Sequence, residues 1–365
     1  MKIKTIEECF PKLKKPIIIA GPCSAETEDQ VMQTAREIKE IPNVQIFRAG
    51  IWKPRTRPNS FEGVGEKGLP WLQRVKEETG LQTAIEIANA KHVELALKYG
   101  IDILWIGART TVSPFAVQEI ADALKGTDIR VMIKNPLNAD LSLWLGAIER
   151  IHQAGIDRII AIHRGFSIEG THKYRNAPVW KIPIELKQRV PNLPMICDPS
   201  HIAGKRALIA NITQKALDID MDGAIIETHI TPETAWSDAA QQVTPTELKK
   251  ILGNLSYRSQ SCHDKEFENE LEVLRDQIDR ADQELIELLA QRQNIVADIA
   301  RAKLKNNVTA LQVTRVNEMM KKRFEKGESV GLSREYIKEI YDTIHTKSVK
   351  TQINIMEEKK DEENK

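Results

Sequence analysis

Eight short apolar runs rich in β-branched residues recur through the first 230 residues of the chain. They occupy residues 16–23 (PIIIAGPC), 45–52 (QIFRAGIW), 82–87 (QTAIEI), 103–108 (ILWIGA), 131–136 (VMIKNP), 159–165 (IIAIHRG), 194–200 (PMICDPS) and 223–229 (GAIIETH). Such runs read as parallel strands buried on both faces. Segments with helical apolar spacing lie between them, among them residues 31–41, 93–99, 141–154 and 205–217, each following a turn signal. Strand alternates with helix eight times. A repeat of roughly 30 residues predicts an α/β fold, a (β/α)8 or TIM barrel of about 250 residues, whose functional groups sit at the C-terminal strand ends. A doubly wound open sheet competes, but it more often carries a Gly-rich phosphate loop after its first strand, and GPCS is not one.

With 365 residues there is room for a second, smaller domain. The polar stretch GNLSYRSQSCHDKE begins at Gly253 and lacks an apolar period. It divides the chain into a barrel at 1–252, a linker at 253–265, a helical domain at 266–356 and a charged, disordered tail at 357–365. A formal net charge of +1 gives no reason to expect nucleic acid or an anionic membrane as partner. No apolar run approaches the ~20 residues that span a bilayer, and the N-terminus lacks a signal-peptide core. Cys9, Cys23, Cys197 and Cys262 have no paired spacing, which points to reduced thiols and a cytoplasmic protein.

Two constellations gather at the strand ends. Cys23, His201 and Glu227 stand at or just beyond runs one, seven and eight, and Asp238 follows in the next loop. A thiolate, an imidazole and two carboxylates form a mixed soft and hard site, suited to Mn, Fe, Co or Zn rather than a dedicated Mg or Ca cage. Glu227 interrupts an apolar run where an unpartnered carboxylate would be costly. The second set is cationic. Arg48, Lys53, Arg55, Arg109, Lys134 and Arg164 end or follow runs two, four, five and six, and together they would focus a positive field on a ligand bearing phosphate and carboxylate.

The strings GPCS (21–24), KPRTRP (53–58), GART (107–110), CDPSH (197–201) and MDGAIIETHITPETAWSDAAQQ (221–242) resemble the type I, metal-dependent 3-deoxy-D-arabino-heptulosonate 7-phosphate (DAHP) synthases over about residues 15–252. The resemblance implies a barrel that condenses phosphoenolpyruvate with erythrose 4-phosphate on a divalent ion, Mn2+ foremost. It implies Cys23, His201, Glu227 and Asp238 as metal ligands. Arg48, Lys53, Ala108, Arg109, Lys134 and Arg164 would hold phosphoenolpyruvate, Arg55 and Thr56 the aldose phosphate, and Glu86 a water. The chain departs from the family pattern at Thr110, at Asn135-Pro136 after Lys134, and at His163 before Arg164. A related synthase uses arabinose 5-phosphate, but its aldose loop lacks the KPRT string.

Beyond the linker, Leu271, Leu274, Ile278, Ala281, Leu285, Leu288, Ile295, Ile299 and Ala302 keep a spacing of three and four, predicting one helix from Phe267 to about Lys305. Two more helices are expected at 310–325 and 333–356, with Ser333 as an N-cap. A helix of nearly forty residues would be roughly 57 Å long, too long for a compact monomeric bundle, so a homodimer, or a higher oligomer built from it, should cover the seam. LRDQID (274–279), Arg292, Ala302-Lys303, Arg315, Ser348 and Gln352 resemble, in order, the all-helical chorismate mutases over about residues 266–355. That resemblance implies that Arg275 of one chain joins Arg292, Lys303 and Arg315 of another in gripping chorismate, with Ser348 in the site and Gln352 bonding the ether oxygen. Gln312 and Val316 stand where acids are frequent in that family, so reduced mutase activity is expected. A second reading makes this domain a sensor that binds chorismate or prephenate and inhibits the barrel allosterically.

Overall fold

The computed structural model describes residues 1–54, 60–169, 173–259, 261–262 and 264–363, and it turns the eight runs into eight strands. They are β1 (Ile17–Gly21), β2 (Val44–Arg48), β3 (Gln82–Ile87), β4 (Ile103–Ile106), β5 (Arg130–Lys134), β6 (Ile159–His163), β7 (Met195–Cys197) and β8 (Gly223–Glu227). Each pairs in parallel with the next, and β8 returns to β1 in register from Ile17↔Gly223 to Gly21↔Glu227, closing the barrel. Eight main helices alternate with them: α1 (Glu28–Lys39), α2 (Gly68–Thr79), α3 (Ala90–Lys98), α4 (Pro114–Leu124), α5 (Leu141–Gln153), α6 (Lys181–Arg189), α7 (Ile209–Asp218) and α8 (Pro245–Gly253). Side chains Thr27, Asn89, Ser113, Asp140 and Thr244 cap the helices that follow them, each accepting from a backbone N–H three residues on.

The period-two pattern of a strand divides the core into two layers. Ile17, Ile19, Ile46, Trp105, Met132, Ile160, Ile162, Ile196 and Ile225 fill the barrel, while Ile18, Ala20, Phe47, Leu104, Val131 and Ala161 pack outward under the helices. Ile6, Cys9 and Phe10 of the N-terminal segment join the inner layer, so that segment is part of the barrel core. Gly21 ends β1 at φ +145, and a Cβ there would lie 2.1 Å from the Arg48 carbonyl oxygen. Glycine is required for β1 and β2 to end side by side.

The chain forms two units, Met1–Gln260 and Ser261–Lys365. Part of the stretch expected as linker belongs to the first: Ser256 exchanges two backbone hydrogen bonds with the Gln214 side chain, and Arg258 pairs with Asp218 at 3.2 Å. The second unit holds α9 (Lys265–Lys305), α10 (Val313–Ser329) and α11 (Arg334–Glu363). Asp264 caps α9, accepting from the backbones of Glu266 and Phe267. α11 runs through residues 357–363, the stretch expected from its charge to be a tail. Glu and Lys are good helix formers, so charge alone does not end a helix that is already nucleated. On α9 only Val296 and Ala300 are buried; Leu274, Ile278, Leu285, Leu288, Ile295 and Ile299 of the expected seam are exposed in the single chain.

Candidate active sites

The mouth of the barrel collects the residues that end its strands. Ligand atoms of Cys23, after β1, Glu227, ending β8, and Asp238, in the following loop, all lie within 4.8 Å of one another. His201 Nε2 faces Glu227 Oε1 at 3.8 Å. Asp238 sits at φ +50, an uncommon conformation for a residue with a side chain. Its loop is fastened to the first strand end: Gln242 accepts from Cys23 N–H at 2.8 Å, Ser24 and Ser237 hydroxyls share a 2.5 Å hydrogen bond, and Glu26 accepts from Trp236 N–H at 2.6 Å.

Each member of this set has a cationic or polar partner. Lys53 Nζ donates to Cys23 Sγ at 2.7 Å, Arg48 Nη1 donates to Glu227 Oε1 at 2.8 Å, and Arg175 Nη1 donates to Asp238 Oδ1 at 2.8 Å. Gln241 links the two carboxylates, accepting from Arg175 at 2.6 Å and donating to Glu227 Oε2 at 2.7 Å. Burial pushes the Cys23 thiol up to about 12, with Glu227 adding to the rise and Lys53 opposing it, so a cation bound there would displace a proton. Burial also raises Glu227 and Asp238, but the opposing charges outweigh it, with His201 and Arg48 acting on Glu227 and His201 and Arg175 on Asp238. Both carboxyls lie below their ordinary range.

Asp198, which sequence reasoning left unassigned, connects the two constellations. It is 1% exposed; its carboxylate bonds His201 Nδ1 at 2.9–3.0 Å, caps His201 N–H at 3.1 Å and pairs with Lys134 Nζ at 2.8 Å. Holding Nδ1 leaves Nε2 facing the carboxylates, as a metal-binding imidazole requires. Trp105 is the floor beneath the cations, its ring 4.8 Å from Arg48 Cζ and 5.8 Å from Lys134 Nζ. Burial first, and then the charges of Arg175 and Arg109, lower Arg164 to about 10, which leaves it protonated near neutrality. Glu86 lies against Gly107, where a Cβ would come within 1.9 Å of Glu86 Oε1. Arg55 and Thr56 fall outside the described residues.

Two of the three departures from the family pattern, Asn135 and His163, have structural work. Asn135 accepts from the Arg164 backbone N–H at 2.7 Å and donates to Gly165 O at 2.8 Å, fixing the end of β6. His163 is fully buried among Trp144, Phe166 and Trp180, and burial holds its imidazole near 3 and therefore neutral.

One thiol and two carboxylates brought close against their mutual repulsion fit a divalent ion of borderline softness, and the oriented imidazole of His201, outside that 4.8 Å group, faces it across Glu227.

In the helical unit Arg292 Nη1 donates to Ser348 Oγ at 2.7 Å, joining α9 to α11. Gln352, 7% exposed, lies one turn beyond Ser348 with its Oε1 buried and unpartnered among the described residues. Lys303 Nζ donates to Ala310 O at 2.7 Å, and Arg315 pairs with Glu318 at 3.7 Å. Arg275 is exposed on α9, about 25 Å along the axis from Arg292.

The chain matches the DAHP synthetase I family over residues 11–261 and chorismate mutase type II over residues 274–353. A phospho-2-dehydro-3-deoxyheptonate aldolase of Thermotoga maritima is 32% identical over 235 residues, covering 64% of this chain and 67% of its own. A 2-dehydro-3-deoxyphosphooctonate aldolase of Syntrophotalea carbinolica is 27% identical, covering 64% and 87%. The structure of a truncated 3-deoxy-D-arabino-heptulosonate 7-phosphate synthase from Thermotoga maritima aligns with a TM-score of 0.59 at 27% identity, covering 69% of this chain and 90% of that one. No helix among the described residues is long and apolar enough to cross a membrane. The protein belongs to the DAHP synthetase I family and carries a chorismate mutase type II region after the barrel in its sequence.

Proposed function

We infer that the barrel condenses phosphoenolpyruvate with erythrose 4-phosphate to DAHP and phosphate, and that the helical unit converts chorismate to prephenate. The observation that carries the first reading is the convergence of Cys23, Glu227 and Asp238 within 4.8 Å beside Arg48, Lys53, Lys134 and the His201–Asp198 pair. Cys23, His201, Glu227 and Asp238 would hold a divalent ion, Mn2+ foremost with Fe, Co or Zn as alternatives, which would supply Lewis acidity toward the aldehyde oxygen.

The side chains do the rest. Arg48, Lys53, Arg109, Lys134 and Arg164, with the backbone at Ala108, bind the carboxylate and phosphate of phosphoenolpyruvate, and Arg55 and Thr56 take the aldose phosphate. Fixing both anions brings C3 of the enol to the aldehyde carbon without a covalent enzyme intermediate. Water adds at C2 as the new C–C bond forms, with Glu86 orienting it and holding its proton, and phosphate leaves by C–O cleavage. The cations already in place stabilise the charge that moves onto the phosphate oxygens.

In the helical unit Arg292, Lys303, Arg315, Ser348 and Gln352 bind the dicarboxylate in the conformer that rearranges, and stabilise charge across the breaking C–O bond. Arg275 enters from a second copy, whose docking covers the exposed Leu274, Ile278, Leu285, Leu288, Ile295 and Ile299. Free Cys9, Cys23 and Cys197, all buried, suit a reducing compartment, and we place the protein in the cytoplasm.

Purely regulatory helices and an arabinose 5-phosphate barrel are not favoured: the two domain matches are to enzyme families, and the heptonate aldolase is the nearer of the two relatives compared. The test compares kcat/KM for erythrose 4-phosphate and arabinose 5-phosphate and follows chorismate turnover on the same sample. Preference for the four-carbon aldose with turnover supports the reading; preference for the five-carbon aldose overturns it.

A further inference from the structure

The face of α11 that carries Ser348 and Gln352 carries two more polar residues. Tyr341, His345, Ser348 and Gln352 follow one another at spacings of four, three and four, one stripe along the helix. Arg323 of α10 lies over the first of them, with its Cζ 4.2 Å from the Tyr341 ring centroid. Its terminal nitrogens contact only soft acceptors, Met320 Sδ at 3.9 Å and Met319 Sδ at 3.6 Å, and among the described residues no carboxylate pairs with it.

A half-buried guanidinium without an anion is costly, and this one stands among other cations. Burial first, and then the charges of Arg292 and Arg315, lower its basicity. His345 is lowered by burial and then by Arg323 and Arg292, so all these groups share one field. Two buried atoms on the stripe lack a partner among the described residues, His345 Nε2 and Gln352 Oε1, and Gln352 is 7% exposed. Two acids offset part of this field, Glu318 pairing with Arg315 at 3.7 Å and Asp342 raising His345, but neither pairs with Arg323 among the described residues. Excess positive charge beside buried unpaired polar atoms is the mark of a place for an anionic, hydrogen-bonding ligand.

We propose that Arg323 and His345 are further ligand-binding residues of the helical site, donating to a carboxylate of the dicarboxylate that Arg292, Arg315 and Ser348 help to hold. The proposal rests on the reading of this unit as a mutase. Tyr341 holds the guanidinium plane by stacking, so little side-chain entropy is lost when the ligand arrives.

The test uses the full chain with Arg323→Met, which keeps length and packing, Arg323→Lys and His345→Leu. Chorismate KM and kcat are measured together with prephenate affinity by calorimetry, with barrel condensation and far-UV circular dichroism as controls. A hydrogen bond to a charged group predicts that Arg323→Met raises KM and weakens prephenate binding about 10- to 100-fold, with kcat nearly unchanged. Arg323→Lys, which keeps charge but loses the planar fork, should weaken binding roughly five-fold, and His345→Leu by a similar factor. If Arg323→Met does not fold, Arg323→Lys decides. KM and prephenate affinity within two-fold of wild type in the folded variants would overturn the proposal alone. A wild-type protein that neither turns over chorismate nor binds prephenate would overturn the reading of the unit, and the proposal with it.

Discussion

Replacing Asp198 separates two tasks that one buried carboxylate performs. Its oxygens hold Lys134 at 2.8 Å and His201 Nδ1 at 2.9–3.0 Å, and the group is 1% exposed. Asp198→Asn keeps one oxygen for the imidazole and its backbone cap but turns an amide donor toward Lys134. Leaving a buried ammonium unpaired costs about 3–5 kcal/mol. Asp198→Ala also frees the imidazole, and loss of such an outer partner lowers metal affinity about 10- to 100-fold. Urea unfolding at pH 7 should therefore show similar destabilisation in both variants. Mn2+ titration calorimetry should show the larger affinity loss in the alanine variant. The Asp198 carboxyl, raised by burial but lowered well below its usual range by His201 and Lys134, contributes stability above about pH 4 that is lost as pH falls further. Both variants should lack that acid-side loss. Wild-type stability and Mn2+ affinity in Asp198→Ala would refute the reasoning.

Three further outcomes are expected. His163, whose pKa burial lowers from 6.5 to about 3, is neutral when folded, so stability is full above about pH 6.5 and falls as pH drops toward 3. About 2 kcal/mol should be lost by pH 5, and His163→Leu should flatten that slope in urea titrations at pH 7, 6 and 5; an unchanged slope counts against it. In Gly107→Ala the new Cβ, placed 1.9 Å from Glu86 Oε1, should swing the carboxylate aside and lower kcat about 100-fold with phosphoenolpyruvate KM within a few-fold, as steady-state kinetics would show. Arg175→Met removes a cation that competes with a divalent ion for Asp238 and should tighten Mn2+ binding by calorimetry while leaving the unfolding midpoint nearly unchanged, because the Arg175 side chain is half exposed.

The barrel was legible because its signal is redundant. Eight runs such as IIIAG and GAIIE are buried on both faces and need no long-range information, and ligands at strand ends follow from the fold. Asp198 had a readable signal, an acid three residues before His201 at a helix start, where it acts as cap and imidazole partner at once. Trp105 looked like any apolar residue of a buried strand; only the register that sets it under Arg48 and Lys134 shows its second use. Arg175 and Gln241 meet across 66 residues of sequence, and no local pattern marks such a pair. In the helical unit the three- and four-residue period found α9, but it did not separate the buried positions Val296 and Ala300 from the face left exposed. The charged end of the chain carries little information either way, because Glu and Lys solvate a helix as readily as they solvate a coil.

The most direct test of the barrel account is phosphoenolpyruvate consumption with erythrose 4-phosphate by chelator-stripped protein, before and after Mn2+ is restored, with Cys23→Ser alongside. The account predicts no condensation without the ion, full recovery with it, and recovery in the variant only at far higher Mn2+. Undiminished condensation in the chelator, or none with any divalent ion, would contradict it.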